Sequence, residues 1–240
     1  MHKLKHTIFI LLISSLTGLS QNIQDDYSIN IDSALILYKK KMHHDTDYVI
    51  GREYKIYHSY KQDNPYLNGH YGNGTIYSKG YIYDNKIILY DMHKDVLAVN
   101  TSVKSSYNIN VELQKVRIDS FSIEFKDRKY LFIHMKNKDE SHVQITSGFY
   151  EIPYKEKFQL LYKHISDKGD SEGITTYTYR ISKILEIDNS YYNIDSRKKF
   201  INLFPTYKKQ VKKKLRSIKT KYNKFATTQL IDLIKFAETL

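Results

Sequence analysis

Residues 75–99 read TIYSKGYIYDNKIILYDMHKDVLAV, and their pattern decides the fold class. Thr75-Ile-Tyr77 and Tyr81-Ile-Tyr83 are short aromatic and β-branched runs on either side of Lys79-Gly80. Lys86-Ile-Ile-Leu-Tyr90 and Val96-Leu-Ala-Val99 repeat the arrangement around a tight connection. β-Branched and aromatic side chains pack well on a pleated surface, and runs this short with close turn signals read as hairpins.

The pattern continues toward the C-terminus. Ser122-Ile-Glu-Phe125 and Tyr130-Leu-Phe-Ile-His-Met135 flank Asp127-Arg128, and Phe158-Gln-Leu-Leu-Tyr162 follows a run ending at Pro153. Residues 175–181 lead into Ile184-Leu-Glu-Ile187 and Tyr191-Tyr-Asn-Ile194, with Asp188-Asn189 between the last two. Asp and Asn tolerate the left-handed backbone that a two-residue turn demands. About eight short strands of this kind predict an antiparallel sheet, arranged as a sandwich or a partly closed barrel. Toward the N-terminus, Asn64-Pro65, Asn68-Gly69 and Gly72-Asn-Gly74 carry turn chemistry and read as a loop. Before them, Ser33-Ala-Leu-Ile-Leu-Tyr-Lys39 fits either a short helix capped by Asp32 or a buried strand, since periodicity does not arbitrate over so few residues.

After Asp195 the strand pattern stops. Ser196 is placed to cap a short helix running to Phe204, and Pro205 to open the next one in its first turn. Tyr207, Val211, Leu215 and Ile218 then recur at helical spacing as one apolar stripe. Thr227 or Thr228 is placed to cap a last helix carrying Leu230, Ile231, Leu233, Ile234 and Ala237. The fold class expected is therefore α+β: a β-rich domain over 21–195, then a basic segment of two or three short helices over 196–240.

Residues 1–20 have the zones of a cleavable secretory signal: Lys3 and Lys5, an apolar run from Ile8 to Ile13, and small residues at Gly18 and Ser20 before Gln21. A membrane anchor would need about 20 apolar residues, and Ser14, Ser15 and Thr17 break this run early. The chain has no cysteine, which excludes disulfides, thiolate metal sites and a lipidated N-terminal cysteine. An exported domain of this kind is held by its core alone. The location expected is the periplasm or the outer membrane.

Charge is unevenly distributed. The chain holds 38 Lys and Arg against 26 Asp and Glu. Residues 196–240 contain 13 basic side chains against Asp232 and Glu238, a net +11, whereas 21–195 contain 23 basic and 24 acidic ones. Lys, Asn, Ile and Tyr are abundant throughout. That bias raises lysine everywhere but does not gather it at one end.

Several stretches carry a likeness. Gly74-x-Ile-x-x-x-Gly80-x-x-Tyr83 with the Ile88-Leu-Tyr-Asp-Met-His-Lys-Asp-Val-Leu97 run, residues 116–133, Gly148-Phe-Tyr-Glu151 with Lys157-Phe-x-Leu-Leu-Tyr-Lys163, and Phe200-x-x-Leu-Phe-Pro205 together resemble a class of small exported proteins of Bacteroidetes. His93 departs from it, standing where an aromatic is more usual. The resemblance implies an envelope location and a fold, and no reaction.

Two polar clusters are candidates for metal: His43-His44-Asp45 with Asp47, and Asp91, His93 and Asp95. Alternate residues of a strand share a face, so the second set offers an imidazole and two carboxylates. Neither has the spacing of a zinc motif, and if residues 91–95 straddle a hairpin turn the acids are turn residues. There is no Gly-x-Ser-x-Gly elbow and no Cys nucleophile, and no cofactor is expected. The 23 tyrosines suit sheet packing more than a sugar platform.

The basic helices allow three readings. The lysines face water over a packed stripe; or Lys208, Lys209, Lys212, Lys213, Lys214 and Arg216 meet anionic envelope lipid, polymer or a partner protein; or the cations interleave with Tyr207, Tyr222 and Phe225 on nucleic acid, which export disfavours. The function expected is a non-enzymatic envelope adaptor or binding module. The alternative is a metal- or carboxylate-dependent hydrolase of envelope polymers.

Overall fold

In the computed structural model the runs of residues 75–99 pair as hairpins. β2 (Gly72–Ser78) turns through Lys79 and Gly80 into β3 (Tyr81–Asp91), and a turn at 92–95 leads to β4 (Val96–Ser102). The structure describes residues 48–57, 64–102, 108–126, 128–138 and 143–240. Residues 1–20, expected as a signal sequence, the segment around Ser33 and the His43/His44/Asp45/Asp47 cluster lie outside them. Residues Tyr48–Leu240 form one compact unit.

The remaining strands are β1 (Gly51–Glu53), β5 (Asn108–Leu113), β6 (Ser120–Phe125), β7 (Arg128–Met135), β8 (Gly148–Lys155), β9 (Gln159–Ser171), β10 (Ile174–Ile187) and β11 (Ser190–Asn193). These eleven strands, counted among the described residues, form a single sheet in the order β1-β5-β4-β3-β2-β6-β7-β8-β9-β10-β11, antiparallel at every pairing. The architecture is thus α+β with one open sheet, not two stacked sheets. Two meanders, β2 to β5 and β6 to β11, meet where β2 pairs with β6.

The sheet is rolled without closing. Tyr90 on β3 and Phe149 on β8 are separated by four strand spacings, about 19 Å across a flat sheet, yet their ring centroids lie 6.1 Å apart. Phe121 and Phe132 fill the space between them, stacked at 4.7 Å, and all four rings are fully buried. Curling the sheet around these aromatics forms one of the apolar cores of the unit.

Three hairpins use two-residue turns with both residues left-handed: Lys79-Gly80, Glu172-Gly173 and Asp188-Asn189. This is the turn whose twist matches that of paired strands.

The Gly72-Asn-Gly74 segment, expected as a loop, is instead the start of β2 at the centre of the sheet. The glycines there serve close approach. A Cβ on Gly74 would stand 2.3 Å from the Ile88 Cδ1 and 2.5 Å from the Ser122 carbonyl oxygen. Gly74→Ala is therefore expected to cost about 1–3 kcal/mol by overpacking, read as a lower urea midpoint at unchanged slope. An unchanged midpoint would show that the strands separate freely here.

The C-terminal helices are α1 (Arg197–Asn202), α2 (Lys208–Ser217) and α3 (Thr227–Glu238). Ser196 caps α1, its hydroxyl accepting from the Lys199 amide at 3.3 Å. Three details depart from expectation. Pro205 lies in the turn before α2, three residues ahead of its first turn. Tyr207 is 38 % exposed, so the buried stripe is Val211 and Leu215 with Ile218 partly covered. Neither Thr227 nor Thr228 caps α3: the N-cap is Ala226, whose amide donates to the Gln229 side chain at 3.0 Å. The helices share one apolar core with the sheet, in which Phe158, Leu160, Tyr162 and Leu185 meet Phe200, Val211, Leu215, Leu230 and Leu233. Among the described residues no helix is long and apolar enough to cross a membrane.

Candidate functional site

The candidate metal residues Asp91, His93 and Asp95 stand at the turn between β3 and β4. Asp91 is 1 % exposed. One carboxylate oxygen accepts from the amides of His93 (2.8 Å) and Lys94 (3.0 Å), which closes the turn. The other accepts from the hydroxyls of Tyr54 (2.7 Å) and Tyr57. Burial, followed by the hydrogen bonds of Tyr66 and Asp91, holds the Tyr54 phenol well above its ordinary value, so it remains a donor.

Asp95 faces a different set. Its carboxylate takes the ammonium groups of Lys115 at 2.8 Å and Lys163 at 2.9 Å, and the Tyr90 hydroxyl at 2.7 Å. Lys163 also donates to the Phe149 carbonyl at 3.1 Å, and burial lowers its pKa. The His93 Nδ1 donates to the Ser166 carbonyl at 2.9 Å. Asp91, His93 and Asp95 thus point to three separate sets of partners. Among the described residues no group of three His, Asp or Glu side chains is close enough to share an ion. The two acids are turn residues, and Asp95 also ties the β3–β4 turn to β8 and β9 across the rolled sheet.

A second polar group has no counterpart in the sequence reading. Glu151 on β8 is 2 % exposed and His164 on β9 is 1 % exposed. Their side chains meet at 2.6 Å through His164 Nε2, Arg128 on β7 pairs with the other carboxylate oxygen, and His164 Nδ1 lies 2.7 Å from the Tyr179 hydroxyl on β10. An ionised carboxylate only accepts. Nε2–H therefore donates to Glu151, and with a neutral ring the Tyr179 hydroxyl donates to Nδ1. Burial, then the charge of Glu151, raises the Tyr179 pKa. The four side chains stitch β7, β8, β9 and β10 together on one face. The signal that would have found them is a lone Glu and a lone His inside the apolar runs Phe149-Tyr-Glu-Ile152 and Leu160-Leu-Tyr-Lys-His-Ile165.

The helical flank carries the remaining candidates. Lys208, Lys209, Lys212, Lys213 and Arg216 are exposed, and none is in an ion pair among the described residues. Lys214 differs: it is half-buried, with its ammonium 5.6 Å from the Phe236 ring of α3. Between α1 and α2 lies an open cleft of about 400 Å³ bordered by Arg197, Lys198, Lys208 and Lys212, with Ile201 and Asn202. A neighbouring cleft of about 320 Å³ holds Arg216, Lys219 and Lys221 beside Arg197.

Tyr222 and Phe225, expected as base-stacking partners in the nucleic-acid reading, are buried in the helix–sheet core, and the Tyr222 hydroxyl donates to the Ile194 carbonyl at 2.7 Å. No protein-family model, curated protein or solved structure matches the chain.

Proposed function

We propose that this is a non-enzymatic module of the bacterial cell envelope whose α1–α2 flank holds an anionic envelope component, lipid or polymer, while the rolled sheet serves as its scaffold. One observation carries the reading: exposed cations of α1 and α2 stand together on one flank with no acidic partner among the described residues, on helices fixed to the sheet by a shared apolar core. Lysines that only solvate a surface are ordinarily interspersed with acids. Here no acid among the described residues supplies the counter-charge.

Each basic residue near an anionic bilayer surface contributes about 1 kcal/mol, and that attraction is screened over about 10 Å at 0.1 M salt and about 3 Å at 1 M. Co-sedimentation with phosphatidylglycerol vesicles should therefore be strong at low salt, lost at 1 M, and absent with phosphatidylcholine alone. Binding that persists at high salt, or that does not distinguish the two lipids, would remove the electrostatic reading.

A further inference from the structure

We infer that the cleft between α1 and α2 is a phosphate subsite, taking a phosphate ester through Arg197, Lys198, Lys208 and Lys212. The inference rests on the anionic-surface reading and narrows it to one ligand chemistry at one place.

The geometry is two-sided. Lys208 and Lys212 are one helical turn apart and so share a face of α2, and both border the cleft. Arg197 and Lys198 border it from the start of α1. The backbones beneath them are fixed, since Phe200 and Ile201 of α1 and Val211 and Leu215 of α2 are buried in the core shared with the sheet. Four basic residues thus border the space from two anchored helices, lining it chiefly with their carbon stems, and no acid is among the residues that line it.

An Arg with three Lys around an apolar cleft suits a phosphate ester better than a carboxylate. A phosphate ester presents several acceptor oxygens and one to two negative charges. A guanidinium meets two of those oxygens at once, while ammonium groups neutralise as point charges. Asn202, also bordering the cleft, carries a neutral donor. Ile201, largely buried, gives the cleft an apolar patch, and about 400 Å³ leaves room for the carbon skeleton attached to the phosphate. A lipid headgroup and a free phosphate ester share this chemistry.

The test compares two charge-matched variants. Lys208→Gln/Lys212→Gln strips the cleft, while Lys209→Gln/Lys213→Gln removes the same charge from α2 outside both clefts. All four residues are exposed, and thermal unfolding of each variant checks that the fold is intact. Phosphatidylcholine vesicles carrying phosphatidic acid, or oleic acid at matched surface charge, supply the bilayer probes. Glycerol phosphate, followed by NMR shifts of residues 197–212, supplies the soluble one.

A subsite predicts that the cleft variant loses phosphatidic-acid binding about tenfold further than the control variant, a difference of about 1.4 kcal/mol, and that wild type prefers phosphatidic acid to oleate. Shifts with glycerol phosphate would assign a free ester as a ligand. Their absence alongside selective vesicle binding would assign a membrane headgroup. Equal losses in the two variants, or equal binding of the two charged vesicles, would overturn the subsite and leave the broader surface reading standing. Failure of wild type to bind any anionic vesicle would overturn both.

Discussion

Replacing Glu151 with alanine is expected to lower the stability of the domain by about 3–5 kcal/mol, the range for breaking a buried pair by removing one partner. The carboxylate is 2 % exposed and satisfies two cation-capable groups at once, Arg128 and the His164 Nε2. Removing it leaves the Nε2–H of a 1 % exposed imidazole without an acceptor. Arg128 loses less, because its side chain is 38 % exposed and can turn to water, which places the effect toward the lower end. Glu151→Gln keeps one acceptor oxygen for either partner and should cost about half as much. Urea unfolding measures both, with Glu156→Ala, an exposed neighbour, as a control expected within about 0.5 kcal/mol of wild type. A loss under about 1 kcal/mol for Glu151→Ala would mean that the network is not a structural tie. Domains of this kind are stable by about 5–15 kcal/mol in total, so the alanine variant should also be visibly more sensitive to protease.

The second large effect concerns the flank. Replacing Lys208, Lys209, Lys212, Lys213 and Lys214 together with glutamine should reduce binding to phosphatidylglycerol vesicles by about a thousandfold at low salt. Four of the five are exposed and unpaired among the described residues, and at about 1 kcal/mol each they account for about 4 kcal/mol. Lys214 adds less, since its ammonium already lies against the Phe236 ring. Glutamine matches lysine in helix propensity, and Val211 and Leu215 are untouched, so unfolding should move little. Vesicle flotation of the variant beside wild type is the measurement. Equal binding by the two proteins would show that these lysines only solvate the helix.

What the sequence made legible was local. Hairpins announced themselves because Lys79-Gly80 and Asp188-Asn189 need only their own two residues to adopt the turn. Val211 and Leu215 were readable from a spacing of four. Features that depend on distant partners were not readable. Gly74 looks like a loop residue until β6 and the Ile88 side chain are placed against it. The polar part of β9, Asp167-Lys-Gly-Asp170, has no strand pattern and is held extended by pairing with β10. Tyr207 continued the helical spacing but stands at the N-cap of α2, where the turn from Pro205 leaves it exposed. Arg128, Glu151, His164 and Tyr179 sit on four strands, and only the register of the sheet brings them together.

The order of strands also has a bearing on how the chain assembles. Within each meander a strand pairs with the next one along the sequence, so loops closed at that stage are short and their entropy cost is small. Among the described strands, two pairings join strands that are not successive in the sequence, β1 with β5 and β2 with β6, and the ties from Asp95 to Phe149 and Lys163 cross from one meander to the other. Two hairpin stacks can thus form independently and early, and the β2–β6 seam then joins them. Phe121, Phe132 and Phe149 come from three successive strands of one stack and can gather within it, whereas Tyr90 joins them only across the β2–β6 seam, so rolling completes the aromatic cluster without having to create it.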